Sequence, residues 1–236
     1  MLENKLKNYL LLHLIVFIWG FTAILGALIT LEAIPLVFFR MVLAVFFIFL
    51  FFMYKKKSFL LDKEGIVKFL ITGIIIATHW IFFFKAIKVS NVSVALVTMS
   101  TGAFFTSLIE PIFFRRPIKL LEIILGLLVI VGLYIIFNFE SQYQLGIIYA
   151  LISSFLGSLF AVFNGLFVKK YDANSISLYQ LFFGTVFVAI YLFFSNGFST
   201  TFFIIPTMDW VYLAILSSVC TAVSYTHLRA HETKAN

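Results

Sequence analysis

A chain of 236 residues with 63% hydrophobic and only 11% charged side chains has too few polar groups to wet a soluble domain, in which roughly 25% of residues are charged. The net charge of +7 would suit nucleic acid in a soluble protein, but here the basic residues stand in short clusters between apolar runs, a pattern that orients membrane helices. The single cysteine, Cys220, excludes a disulfide framework and a thiolate metal cluster within the chain.

A bilayer core about 30 Å thick takes roughly 20 apolar residues as helix. Eight such runs are present, near 9–29, 35–54, 65–87, 92–113, 119–138, 145–168, 176–195 and 209–225. The runs are continuous rather than alternating, which predicts an all-α membrane protein and not a barrel. The first run is as long as a span and carries no small-residue cleavage site at its end, so it reads as a membrane helix and not a signal peptide. It contains Trp19, a candidate cavity residue, and His13 near its start.

In the second run Arg40 lies about 7 Å inside the outer end, where its side chain either snorkels outward or faces an anion. The third run, "TGIIIATHWIFFFKAIK" from Thr72 to Lys88, puts His79 and Trp80 near mid-span. An ionisable group at that depth costs about 2.5–3.5 kcal/mol and asks for a partner or a water-filled cavity. Two readings stay open for His79: lining a pathway, with a role in solute binding or proton coupling, or tying two helices together as a neutral ring. Trp80 stands about 100° round the helix from it, so one of the pair is expected to pack. An indole N–H at mid-span also wants a partner. Lys85 and Lys88 read as interface anchors.

The fourth run places Thr98, Gly102, Thr106 and Glu110 at four-residue spacing, a small polar stripe suited to close helix packing or to solute contact. Pro111 frees the carbonyl four residues earlier and predicts a kink there. The sixth run gathers Ser154, Gly157, Ser158, Ala161, Asn164 and Gly165, and the seventh holds Gln180 and Gly184. Asn164 and Gln180 join the candidate site residues.

Lysine and arginine concentrate on one side of the membrane, the other holding little besides Lys85 and Lys88. The richer side receives Lys5 and Lys7, the Lys55–Lys57 cluster with Lys63, then Arg115, Arg116 and Lys119, then Lys169 and Lys170. The positive-inside rule therefore predicts a cytoplasmic N-terminus in the cell inner (plasma) membrane. Connections are short, so no soluble domain is expected.

Two segments recur in order. Residues 36–52 lie over 178–194, pairing Arg40 with Phe182, or with Gln180 after a shift of two. Residues 64–80 lie over 209–225, so that Gly73 meets Ser218 and His79 and Trp80 meet Ser224 and Tyr225. This spacing predicts a repeat of about five helices, and an odd number of helices makes the second copy inverted.

These residues carry a resemblance. Trp19 and Gly20, Phe39 and Arg40, the passage from Thr72 to Leu96, "TSLIEP" from Thr106 to Pro111, and "EIILGLLVIVGLYII" are similar to the drug/metabolite transporter superfamily of the EamA type. The resemblance implies ten-helix carriers built from two five-helix halves. The fold class expected here is thus a polytopic bundle of inverted five-helix repeats with eight of ten spans present. Residues 1–138 form the first repeat and 139–225 an incomplete second repeat of three helices. The family often has a glutamate just before the fifth helix; this chain has Arg115, Arg116 and Pro117, so that role does not carry over. After Tyr225 the apolar pattern gives way to "THLRAHETKAN", which resembles translated sequencing-library adaptor. Residues 226–236 are read as a non-native tail, with a genuine polar terminus as the alternative.

The expected function is secondary transport of a small organic solute, such as a metabolite, amino acid or drug, by alternating access, with protons as the favoured coupling ion. No phosphate-binding "GxxxxGK[ST]" motif occurs, and no cofactor, metal or nucleic acid is expected; the partners are lipid, solute and protons. The alternatives are an intramembrane enzyme acting on a lipid-linked substrate, or a non-transporting membrane subunit. No paired histidines or carboxylates of the kind such an enzyme needs appear in the apolar region. The candidate substrate-binding residues are His79, Trp80, Trp19, Arg40, Thr98, Thr106, Asn164 and Gln180.

Overall fold

The computed structural model describes residues 2–56, 61–139 and 141–223. The tail from 226 onward, with its two histidines, lies outside the described residues, as do Ser224 and Tyr225. The main helices are α1 (Leu2–Leu28), α2 (Ala33–Tyr54), α3 (Lys63–Val89), α4 (Val92–Met99), α5 (Gly102–Phe114), α6 (Leu120–Phe139), α7 (Gln144–Phe167), α8 (Ala173–Phe194) and α9 (Thr207–Ser217). A π-helical turn, Ser218–Val223, continues α9. Among the described residues every regular element is helical.

Helix starts follow from short polar side chains that accept the first free amides. Asp62 accepts from the Gly65 amide at 2.9 Å, Asn91 from the Val94 amide at 2.8 Å and Asp172 from the Ser175 amide at 3.1 Å. Five segments are long and apolar enough to cross a membrane: Ala33–Tyr54, Lys63–Val89, Val92–Phe114, Gln144–Phe167 and Ala173–Phe194. Three shorter apolar helices, His13–Leu28, Leu120–Ile135 and Thr207–Ala222, occupy the other three runs read from the sequence. Large side chains such as Phe17, Leu128, Tyr134 and Phe193 stand exposed along these helices, as lipid-facing residues do.

The fourth run differs from expectation in where it breaks. Turn bonds from the Ser100 amide to the Val97 carbonyl and from the Thr101 amide to the Thr98 carbonyl, both 3.1 Å, interrupt it between α4 and α5. The Ser100 and Thr101 hydroxyls also bond back to Val97 and Thr98 carbonyls, competing with regular helix bonding. Pro111 instead sits inside continuous α5. The stripe from Thr98 to Glu110 is therefore split across two helices.

Helix α3 is the centre of the bundle and packs mainly on α7 and α8. Its approach to α8 depends on glycine: a Cβ on Gly73 would stand 2.6 Å from the Gln180 carbonyl oxygen and 3.0 Å from the Gly184 nitrogen. Small residues at such crossings let backbones meet closely.

Candidate functional site

A cavity of about 600 Å³ opens between α1, α2, α3, α4, α7 and the turn after α9. Its wall is mostly apolar, with Phe83, Phe160 and Met99 among its larger side chains. Of the sequence candidates, Trp19, Arg40, His79, Trp80 and Asn164 line it. Thr98, Thr106 and Gln180 do not: Thr98 is fully buried, Thr106 half-buried on α5, and Gln180 buried beside Asn164. Thr22, Ser100, Gly157 and Cys220 complete the small and polar part of the wall. The sequence singled out none of these as cavity residues, although Gly157 stood in the sixth-run cluster.

Helix α2 delivers Arg40 inward. Its side chain is only 3% exposed, its guanidinium carbon lies 3.7 Å from the Trp80 ring centroid, and its Nε–H donates to Thr221 Oγ1 at 3.1 Å. Of the two readings of Arg40, the outward-snorkelling anchor is thereby corrected: an aromatic face and a hydroxyl acceptor hold the cation inside. Trp80 and His79 both line the cavity, where one was expected to pack away. Trp80 does so while supporting Arg40 with its ring.

His79 is fixed by α7. Its Nδ1 lies 2.7 Å from the Ser153 carbonyl oxygen and 2.9 Å from Ser153 Oγ, which in turn donates to the His79 carbonyl at 3.0 Å. A carbonyl oxygen only accepts, so Nδ1 carries a hydrogen, and Nε2 is an acceptor whenever the ring is neutral. The ring lies against Gly157, where a Cβ would come within 2.9 Å of Cε1. His79 thus ties α3 to α7 and also lines the cavity.

The polar cluster of the sixth run divides. Ser154 and Ser158 face α4 and α5, donating to the Met99 carbonyl at 3.2 Å and the Gly102 carbonyl at 2.9 Å. Gly157, Ala161 and Asn164 face the cavity. Below them the Gln180 amide donates to both Asn164 Oδ1 and Thr72 Oγ1, each at 2.8 Å. Thr72 also lines a smaller space of about 270 Å³ that reaches Lys170 and Tyr171, so this bridge separates the two cavities.

Polar contacts close both ends of the bundle. At one, Lys170 pairs with Asp62 at 2.9 Å and Glu64 at 2.6 Å, and the Tyr171 hydroxyl donates to Asp62 at 2.9 Å. The Lys170 ammonium and the Gly65 amide hold the Asp62 carboxyl at about 2, below its ordinary 3.8. The same acids raise the Lys170 ammonium, Glu64 most strongly. At the other end the Thr30 amide and hydroxyl donate to Asp209 at 2.9 and 2.6 Å, and Lys88 donates to the Ile29 carbonyl. Glu110 pairs with Arg116, which also reaches Glu122, in keeping with a paired carboxylate.

The arrangement is a mid-span chamber in a multi-pass membrane protein, walled by aromatic and aliphatic groups and carrying a few fixed polar ones. A solved structure titled "Crystal structure of protein" shares its fold, with a TM-score of 0.69 at 11% sequence identity over 96% of this chain and 80% of that one. No curated protein matches the sequence. The EamA-like transporter family matches residues 6–138, the part of the chain that supplies Trp19, Arg40, His79 and Trp80 to the cavity. The chain belongs to the EamA-like transporter family.

Proposed function

We propose that this protein is a secondary transporter that moves a small organic solute by alternating access of two related, inverted halves, residues 1–138 and 139–225. The chamber is its solute site, and the residues facing the solute are Trp19, Arg40, His79, Trp80 and Asn164. Gln180 acts through Asn164, and Thr98 and Thr106 through the packing of the fourth span. Protons are the coupling ion, with His79 as the group that carries them. The observation that carries this reading is the chamber itself: its volume of about 600 Å³ falls within the range of small-molecule sites, as do its apolar walls and sparse polar groups.

The repeat is supported by α2 and α8. Both helices have 22 residues, and eight of the nine buried positions of α2 recur in α8 140 residues on. Each is followed two residues later by a left-handed residue, Lys56 with φ 49° and Asn196 with φ 52°. This register pairs Arg40 with Gln180, the shifted alternative of the sequence comparison. Helix α3 packs on α7 and α8, while α9 packs on α1 and α2. Lys170 and Thr30, which stand 140 positions apart, bond to the acidic starts of α3 and α9 respectively. Such paired contacts suit two ends that open in turn.

The basic connections 55–57, 115–119 and 169–170 favour a cytoplasmic N-terminus in the plasma membrane. The test is counterflow in proteoliposomes loaded with a panel of amino acids, aromatic carboxylates and amines. Transient accumulation of at least one labelled solute is expected, faster under an imposed proton gradient. Absence of accumulation for the whole panel would contradict the proposal.

A further inference from the structure

We infer that the adjoining ends of α5 and α7 form a binding site for an anionic phospholipid, its phosphodiester held between Arg115 and Lys169 and its acyl chains lying along the outer faces of α5 and α6. It rests on the membrane-helix fold and is independent of what the chamber carries. Two helices bring the cations together. Phe114 lies against Gly165, where an added Cβ would come within 3.1 Å of the Phe114 Cζ, and Lys169 Nζ stands over the same ring, 4.8 Å from its centroid. An edge contact of Phe113 with Phe163, 5.0 Å between centroids, fixes the same crossing. Arg115 follows Phe114 directly, as the left-handed residue, φ 52°, that ends α5.

The neighbouring acids are engaged elsewhere. Arg116 takes both Glu110 at 3.2 Å and Glu122 at 2.9 Å, and donates to the Pro117 carbonyl at 3.3 Å, which pins the connection from α5 to α6. Lys170 takes Asp62 and Glu64, and Asp172 accepts from the Ser175 amide at the start of α8. Arg115 and Lys169 are both exposed, and neither is in an ion pair among the described residues. The Phe114 ring positions the Lys169 ammonium without neutralising it. A guanidinium fork beside an ammonium matches the paired oxygens of a phosphodiester. The same corner exposes Ile112, Ile118 and Leu121, apolar side chains on the two helix ends that carry the cations. Basic pockets between helix ends take anionic headgroups in this way. A soluble anion would gain the charged contacts alone, whereas a phospholipid gains these and the apolar ones, so the lipid is the occupant that uses the whole surface.

The experiment is native mass spectrometry of the full chain released from nanodiscs of phosphatidylglycerol and phosphatidylcholine in equal amounts, with identical acyl chains. Retention of phosphatidylglycerol is expected to exceed that of phosphatidylcholine by at least about tenfold. In the double variant Arg115→Gln with Lys169→Gln the preference is expected to fall to about twofold or less. Lys55→Gln with Lys56→Gln removes the same charge from another connection and is expected to keep the preference. Where the first double variant does not fold, Lys169→Gln alone is expected to lower the preference, and the comparison of the two lipids in the unsubstituted protein stands by itself. Equal retention of both lipids by the unsubstituted protein overturns the inference. Equal loss of preference in the two double variants also overturns it, since the attraction would then belong to the whole basic face. Added inorganic phosphate is expected to leave the lipid in place; displacement of the lipid by phosphate would reveal an anion site without acyl-chain contacts and would overturn the inference as well.

Discussion

The guanidinium carbon of Arg40 stands 3.7 Å from the centroid of the Trp80 ring, joining α2 to α3 in the chamber wall. A cation over an indole, shielded from water, contributes about 2 kcal/mol. Trp80→Leu is expected to lower stability toward denaturing detergent by about that amount, and Trp80→Phe by less. A double-mutant cycle with Arg40→Met should return a coupling of about 1–2 kcal/mol. Additive effects would show that the two side chains are merely adjacent.

His79 separates binding from folding. Because Nδ1 is satisfied by Ser153, His79→Asn keeps a short donor toward α7 while removing Nε2 from the chamber. Transport per folded molecule is expected to fall about tenfold, the equivalent of one lost hydrogen bond to solute, with folded yield kept. Loss of yield at unchanged specific transport, read by size exclusion beside counterflow, would leave His79 with a structural role alone.

Two glycines differ in what an added methyl meets. In Gly157→Ala the Cβ stands 2.9 Å from His79 Cε1, a side-chain atom, whereas in Gly73→Ala it stands 2.6 Å from the Gln180 carbonyl oxygen, which is backbone. Overpacking costs about 1–3 kcal/mol, and Gly73→Ala is expected at the upper end because a whole helix must shift. Gly157→Ala should reduce solute binding more than stability. Detergent melting curves set against counterflow test that order.

Substituting the bridging amide should weaken the floor of the chamber. Gln180→Leu removes the donor to both Asn164 and Thr72, and buried acceptors left without their donor cost about 1–3 kcal/mol. Gln180→Glu keeps the shape but presents a carboxylate to the Asn164 oxygen. Both variants are expected to melt earlier, which the same curves would reveal.

The ion cluster at the start of α3 has a defined pH window. Asp62 is held at about 2 against an ordinary 3.8, so its contribution is fully present above the ordinary value and is lost as pH falls through the lowered one. Lys170 is shifted upward, so its contribution is present below the ordinary lysine value and is lost only as pH rises through the higher one. The cluster therefore stays intact from mildly acidic to mildly alkaline pH. Lys170→Met is expected to return the Asp62 carboxyl toward 3.8, followed by carbon NMR of the labelled side chain. An unchanged titration would remove Lys170 as its cause.

Much of the fold is legible in the sequence because lipid leaves little choice: a segment without polar partners must satisfy its backbone as helix. His79 and Trp80 stood out for the same reason, since polar atoms at that depth need partners. The direction of Arg40 was not legible. It depends on Trp80 and on Thr221, 181 positions away, and no local pattern announces either. The break at Ser100 and Thr101 was hidden in a small-residue stripe that reads as one continuous face until hydroxyls bond back to the chain. Register between the proposed halves is ambiguous by two in the sequence because phenylalanine and leucine replace one another along α2 and α8. Helix starts, left-handed ends and burial favour a spacing of 140.

Cys220, the single cysteine of the sequence, lines the chamber and is only 2% exposed, which gives the proposed alternating access a native reporter. In sealed, sided membrane vesicles a charged, membrane-impermeant methanethiosulfonate is expected to label Cys220 from either face, and a transported solute to slow labelling from both. Labelling from one face alone would contradict transport through this chamber.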